Sequence, residues 1–271
     1  MPPGAVTDAL GQHHVLNEIP GRIVSLTPAV TEILFAIGAG DKLVGVTQYC
    51  NYPPAARNKT SVGSFSGATV SVEMIRSLDP DLVFLSADMH GRIVSLLNDL
   101  GITSFAVEPR NFSQVYDVIE MVGKITGRAD AAEEVVKQMQ KRIAAVQQRI
   151  HGRQRPEVFW LLSETPLMTA GSDTFVSQAI DLGGGRNIFG DVRGQWPLVS
   201  PEQILFRRPE WILLGDDMGI NADMLQGHPF WQSLPAVREG RLVIVGADIL
   251  YRYGPRLAEG VELIAEILHG P

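Results

Sequence analysis

Aromatic side chains with polar edges recur in this sequence beside the ends of strand-like runs and the starts of helical ones. Tyr49 and Tyr52 lie in Tyr49-Cys50-Asn51-Tyr52-Pro53-Pro54, Phe65 lies among small residues, Trp196 lies in Gly194-Gln195-Trp196-Pro197, and Tyr251 and Tyr253 flank Arg252. Large flat rings at such positions suit contact with a planar, amphipathic ligand. A single ring of this kind is more often loop packing, so the recurrence in both halves of the chain carries the weight. Trp160 and Trp211, inside apolar runs, read as core.

His90, in Ser86-Ala87-Asp88-Met89-His90-Gly91, follows an apolar run whose carboxyl end is where open α/β sheets place ligands. It reads either as a solvent-exposed loop histidine or as an axial ligand to the metal of a macrocycle. His13 and His14 fall in a terminal strand or arm, His151 beside a helix end and His269 near the last residue, so histidine spacing defines no metal site. Catalytic signatures are missing: there is no G-x-x-x-x-G-K-[ST] loop, no H-E-x-x-H and no C-x-x-C. Gly63-Ser64-Phe65-Ser66-Gly67 has the outline of a nucleophile elbow with Phe at its centre, where it offers no nucleophile. Gly183-Gly184-Gly185 reads as a helix stop before it reads as an anion cradle. What remains for acid–base chemistry is the carboxylates Asp88, Glu164 and Asp248, so an α/β enzyme is the rival from another functional class.

These residues need elements to hold them. The chain has 271 residues, 45% hydrophobic and 20% charged, enough for a folded core and close to two domains in length. A formal charge of −7 argues against nucleic acid as a partner. Cys50 is the sole cysteine, which forbids an intramolecular disulfide. No apolar run is long enough to span a membrane, and Met1 to Gly11 lacks a signal-peptide profile, so the leader of an exported protein is expected to be absent from this chain.

Strand-like runs at Ile23–Leu26, Leu43–Val46 and Leu82–Leu85 alternate with helical patterns at Thr31–Ile37 and Arg92–Leu100. The rhythm restarts at Val158–Leu162 and continues through Phe175–Leu182, Pro201–Phe206, Trp211–Leu214, Leu242–Val245 and Arg256–Leu268. This predicts an α/β protein of two Rossmann-like lobes with mostly parallel sheets. Between them, Ala129–Ile150 has neither Gly nor Pro and repeats its apolar residues at helical steps, which predicts a single bridging helix of about 33 Å. The expected boundaries are 1–128 for the N-terminal lobe, 129–151 for the bridging helix and 152–271 for the C-terminal lobe. With no Gly-rich connection, a small opening is expected rather than a wide hinge.

The sharpest pattern is an internal repeat: the stretch from Val70 to Val83 lies without gaps on the stretch from Val199 to Ile212, matching Val, Ser, Glu, Ile and Pro. Each copy reads as a Ser-capped short helix with Glu in its first turn and a Pro-marked stop before a buried strand. The lobes are therefore expected to be related copies.

Taken together, Arg22-Ile23-Val24-Ser25-Leu26-Thr27-Pro28, Gly45 to Pro54, Trp196 to Gln203 and Asp248 to Arg256 resemble the periplasmic substrate-binding proteins whose two lobes are joined by one long helix, and among them the cobalamin binders of ABC importers. The resemblance covers nearly the whole chain and implies a monomeric, extracytoplasmic binding protein with its ligand cleft between the lobes. It implies no enzymatic cofactor, and a corrinoid as transported ligand, with haem or a ferric siderophore as the alternative. By the same resemblance Tyr49, Tyr52, Phe65, Ser86, His90, Met168, Trp196, Asp248, Tyr251, Arg252 and Tyr253 line the site. Glu73 and Glu202 dock onto the importer permease, and membrane contact is through that permease or a lipid anchor. The sequence departs from the family where Phe65 and Ser86 stand in place of Trp, which bears on the choice of ligand. For haem, the iron ligand would come from Tyr49, Tyr52, His90 or Tyr253.

Overall fold

The computed structural model describes residues 4–64, 66–217, 219, 225 and 227–271. The chain divides into two compact units, Met1–Gln138 and Met139–Pro271.

In the first unit, strands β1 (Gly4–Thr7) and β2 (His13–Leu16) form an antiparallel hairpin. A parallel sheet follows, built from β3 (Ile23–Ser25), β4 (Leu43–Val46), β5 (Thr60–Ser61), β6 (Leu82–Ser86) and β7 (Ser104–Val107) in the order β5-β4-β3-β6-β7. β6 and β7 are buried along their whole length, as strands covered by helices on both faces must be. The crossovers carry α1 (Pro28–Ala36), α2 (Val72–Ser77) and α3 (Ala87–Asp99), and α4 (Phe112–Thr126) follows β7. Each starts on a side-chain cap: Thr27 accepts from the Val30 N–H, Ser71 from Met74, Ser86 from Met89 and Asn111 from Gln114. α4 ends on Gly127 in the left-handed conformation, φ 71°.

Helix α5 (Ala129–Ile150) is unbroken over 22 residues, as its periodicity predicts, and the division between the units falls within it. In the second unit β8 (Glu157–Glu164), β9 (Leu167–Thr169), β10 (Arg186–Asn187), β11 (Trp211–Gly215) and β12 (Leu242–Val245) form a sheet of order β10-β8-β11-β12, with β9 antiparallel on β8. Its helices are α6 (Phe175–Leu182), α7 (Pro201–Arg207), α8 (Pro229–Ser233), α9 (Pro235–Arg238), α10 (Asp248–Tyr251) and α11 (Leu257–His269). α6 stops at the glycine run, with Gly184 at φ 86°, which is the helix-stop reading of those glycines.

The repeat is visible in the backbone. β6 and β11 occupy matching positions, each parallel to the first sheet strand of its own lobe, with Ile23 opposite Leu82 and Val158 opposite Trp211. Asp81 accepts hydrogen bonds from the Gly21 and Arg22 N–H groups at 2.7 and 2.8 Å, and its counterpart Glu210 accepts one from the Glu157 N–H at 3.3 Å. A parallel path of four strands, β4-β3-β6-β7 in one lobe and β10-β8-β11-β12 in the other, follows the same order.

Trp160 is fully buried as expected. Trp211 departs from expectation: it is only partly covered, because it opens β11 rather than sitting inside it, and the Arg241 guanidinium lies 5.9 Å from its ring centroid.

Candidate site at the carboxyl ends of the strands

All strands of a parallel sheet end on one edge, and the order of each sheet reverses around its first sheet strand, β3 in one lobe and β8 in the other. Such a reversal opens a crevice beyond the strand ends. In the N-terminal lobe the segment after β4 carries Tyr49 and Tyr52, which are 46% and 41% exposed. That segment is fastened below its rings: Cys50 is buried with its N–H on the Thr47 carbonyl at 3.0 Å, and Gln48 Nε2 donates to Ser64 Oγ at 2.6 Å. Arg57 Nε donates to the Asn51 carbonyl at 3.3 Å. A fixed backbone thus presents two exposed phenol rings. Phe65 lies outside the described residues.

Ser86 and His90 are placed differently from the sequence reading. The helix after β6 begins at Ala87, not near Arg92, so His90 sits in its first turns rather than in a loop, and it is 1% exposed. The Ser86 N–H donates to His90 Nδ1 at 3.2 Å, and the segment carrying Gly67 closes over the helix, with the Gly67 N–H on the Met89 carbonyl at 3.1 Å. Packing from a distant turn, invisible in local sequence, accounts for the burial. Ser86 is buried too, and its hydroxyl donates to Glu108 Oε2 at 2.7 Å. Asp88 is held by Arg110 at 2.7 Å.

In the C-terminal lobe three rings form an edge-to-face series from core to surface. Tyr251 lies 5.9 Å from Trp160 at 76°, and Trp196 lies 5.6 Å from Tyr251 at 86°. The Trp196 loop is laced to the chain beneath it by the Gly171 N–H on the Gln195 carbonyl at 2.8 Å and by the Gly194 N–H on Asp173 at 2.9 Å. Gly171 is required there, since a Cβ would come within 2.3 Å of the Gly194 carbonyl oxygen. Met168, half-buried in β9, bridges to Leu198 beyond the same loop. Tyr253 lies 6.2 Å from the Phe175 ring.

Around these rings sits a group of carboxylates that the sequence reading missed in part. Asp216 and Asp217 follow β11, and Asp248 opens α10 after β12. Asp216 accepts from the Ala247 N–H at 2.9 Å. Partial burial, with Asp216 and Asp248 nearby, raises the Asp217 carboxyl above its ordinary value. Burial, then the charges of Asp217 and Asp216, pushes the Tyr251 phenol far up, so it stays protonated at any physiological pH. Arg252 and Asp248 are ion-paired with each other at 2.6 Å, and the Arg252 side chain is largely covered. Asp216 and Asp217 lie beyond the repeat, which ends at Ile212, so that pattern did not single them out.

Among the described residues no group of three or more His, Cys, Asp or Glu side chains could hold a metal ion, and no helix is long and apolar enough to cross a membrane. Glu164 accepts a hydrogen bond from Trp231 Nε1 at 2.8 Å, so all three carboxylates considered for acid–base work, Glu164, Asp88 and Asp248, already serve structural contacts. Glu73 and Glu202 are exposed in the first turns of α2 and α7. Hydrogen bonding from the Ser200 side chain holds Glu202 below the usual carboxylate range.

Each of the two α/β lobes gathers aromatic and polar groups at its strand ends, where sheets of this topology bind ligands. The chain belongs to the periplasmic binding protein family, whose model matches residues 23–249. It is 34% identical over 98% of its length to an uncharacterized ABC transporter substrate-binding lipoprotein, YvrC, of Bacillus subtilis, 86% of which is covered. The crystal structure of the periplasmic vitamin B12 binding protein BtuF of Vibrio cholerae matches with a TM-score of 0.78 and 31% identity, covering 92% of this chain and 97% of that one. The periplasmic haem-binding protein RhuT of Roseiflexus matches with a TM-score of 0.81 and 27% identity, covering 92% and 98%. The protein is thus an extracytoplasmic substrate-binding component of an ABC importer.

Proposed function

We propose that this protein is the monomeric carrier of a corrinoid, cobalamin or cobinamide, which it delivers to the permease of its importer. The observation that carries the reading is the charge at the strand ends of the C-terminal lobe. The charges of Asp217 and Asp216 act on Tyr251, the ring partner of Trp196, Asp248 lies close enough to act on Asp217, and Arg252 is already paired with Asp248. A ligand whose rim bears carboxylates, such as haem, would bring negative charge against these groups, whereas the amide N–H groups of a corrinoid rim meet ready acceptors. The exposed rings of Tyr49 and Tyr52 and the half-buried Met168 and Trp196 supply apolar faces for the macrocycle. The likeness to the B12 binding protein of Vibrio cholerae supports the same choice.

Haem is the second reading, favoured by the likeness to haem binders and by the two exposed tyrosines, whose phenolates could hold iron. His90, buried and engaged with the Ser86 N–H, fits a structural part better than an axial one. Expression of the protein in cells supplied with both cyanocobalamin and haemin, followed by absorbance and mass analysis of what co-purifies, separates the readings. Recovery of a corrinoid supports the proposal, and recovery of haem alone ends it.

Glu73 and Glu202 are proposed to meet basic residues of the permease, one from each lobe. Their matched places in the repeat and their exposure support this. Replacing both with Ala is expected to abolish importer-coupled uptake while leaving ligand affinity unchanged, and unchanged uptake would remove the docking role.

A further inference from the structure

Helix α7 carries Glu202, Leu205 and Phe206 at spacings of three and four residues, which sets them on one helix face. Phe206 is 86% exposed, while Ile204 on the same helix is fully buried and holds it to the lobe. Glu202 stays ionised, since its carboxyl is held below the usual range by the Ser200 side chain. Arg207 does not neutralise it: that guanidinium is bonded to Asp191 at 2.7 Å and lies over the Phe189 ring, 4.7 Å from its centroid. The matching residues on α2 are Glu73, Arg76 and Ser77, a face with the same carboxylate but no apolar residue. The exposed Met74 of α2 is one residue on from Glu73, about 100° round the helix.

We infer that Glu202, Leu205 and Phe206 form a single docking patch on which a basic side chain set in an apolar surface of the importer permease is seated. This rests on the docking reading of Glu73 and Glu202 and extends it. Charge complementarity selects the occupant: a second copy of a chain with net charge −7 would bring like charge to Glu202, whereas a basic permease surface pairs with it. A large ring left bare beside a fixed charge is the arrangement of an interface anchor with a polar rim. The two lobes then dock unequally, the N-terminal one through polar groups and the C-terminal one through charge plus an apolar anchor.

The test is binding of the full chain to its importer in lipid nanodiscs by biolayer interferometry, with cyanocobalamin affinity and thermal unfolding measured in parallel. Phe206→Ser is expected to weaken importer binding at least tenfold with ligand affinity and unfolding midpoint unchanged, and Phe206→Trp to retain it. If Phe206→Ser binds like the parent while Glu73→Gln and Glu202→Gln weaken binding, the patch is overturned and the docking reading survives. If none of the variants weakens binding, the docking reading itself fails. If sedimentation velocity shows a dimer that Phe206→Ser dissolves while importer binding is unchanged, the occupant is a second copy and the inference is overturned.

Discussion

Asp79 and Arg208 occupy the same position in the two halves of the chain, and both hold the left-handed backbone conformation, with φ of 46° and 48°. Among the described residues they are the only non-glycine residues with positive φ. Arg208 caps the end of α7 and Asp79 lies one residue past the Leu78 cap of α2; each follows a short helix that starts on a capping serine, and each precedes the proline before a buried strand. A costly backbone kept at matching places, without glycine at either, is evidence of duplication that residue identities alone express weakly.

Their conformation predicts a stability change of known sign. A left-handed residue with a side chain carries a cost of about 1–2 kcal/mol, and glycine offsets part of its advantage by roughly 0.4–1 kcal/mol through the unfolded chain. Arg208→Gly is expected to raise the unfolding free energy by about 0.5 kcal/mol, and Arg208→Val to lower it by about 1 kcal/mol or more, on the order of the same conformational cost. Urea unfolding of both variants checks this, and a loss of stability in the glycine variant would contradict it.

The ring series at the C-terminal strand ends predicts a graded loss of ligand binding. Trp196→Ala removes the outermost ring and is expected to weaken corrinoid binding at least tenfold, an order consistent with losing a large aromatic anchor. Tyr251→Phe keeps the edge-to-face contacts and is expected to change affinity by about threefold or less, since only the buried hydroxyl is lost. Fluorescence titration with cyanocobalamin reads both.

The carboxylates around that series predict a shift in selectivity. Replacing Asp216 and Asp217 together with Asn removes negative charge without changing shape. Haemin affinity is expected to rise by roughly tenfold, on the order of one or two partly screened charges, with a smaller change for cobinamide. Equal effects on the two ligands in calorimetry would show that charge plays no part in the choice.

The ion pair between Arg142 on α5 and Glu262 on α11, with the Arg142 Nε donating at 2.8 Å, predicts a pH dependence within the C-terminal lobe. Hydrogen bonding and charge from Arg142 lower the Glu262 pKa from its ordinary 4.5. A lowered carboxyl contributes stability above its unfolded pKa and loses it as pH falls through the folded value. Both groups are partly exposed, so the contribution is about 0.5 kcal/mol. Glu262→Gln is expected to lower the unfolding midpoint at pH 7, and its difference from the parent to shrink as pH falls below the ordinary carboxyl value and through the lowered folded one. A difference that persists at the acid end would point to packing instead.

How much of this was legible beforehand follows from how local each cause is. The strands, the long helix, the glycine stop after α6 and the capped repeats are written in short-range patterns, and the structure bears those elements out. α4 went unread. The start of α3 was placed too late, because Ser86 as cap and His90 as an inward-facing residue depend on contacts with Glu108 and the Gly67 segment, far away in the chain. Asp216 and Asp217 look like ordinary loop acids until the sheet brings them beside Asp248 and Tyr251. The aromatic residues were easier to single out than the charges that discriminate among their ligands, since charge depends on which partners are already engaged, as Arg252 is by Asp248.

Calorimetric titration of the purified protein with cyanocobalamin, cobinamide and haemin under one buffer condition tests the central claim most directly. The account predicts stoichiometric, micromolar or tighter binding of at least one corrinoid, with no shift of the haem Soret band on mixing with haemin. Tight haemin binding with a shifted Soret band, and no heat from either corrinoid, would contradict it.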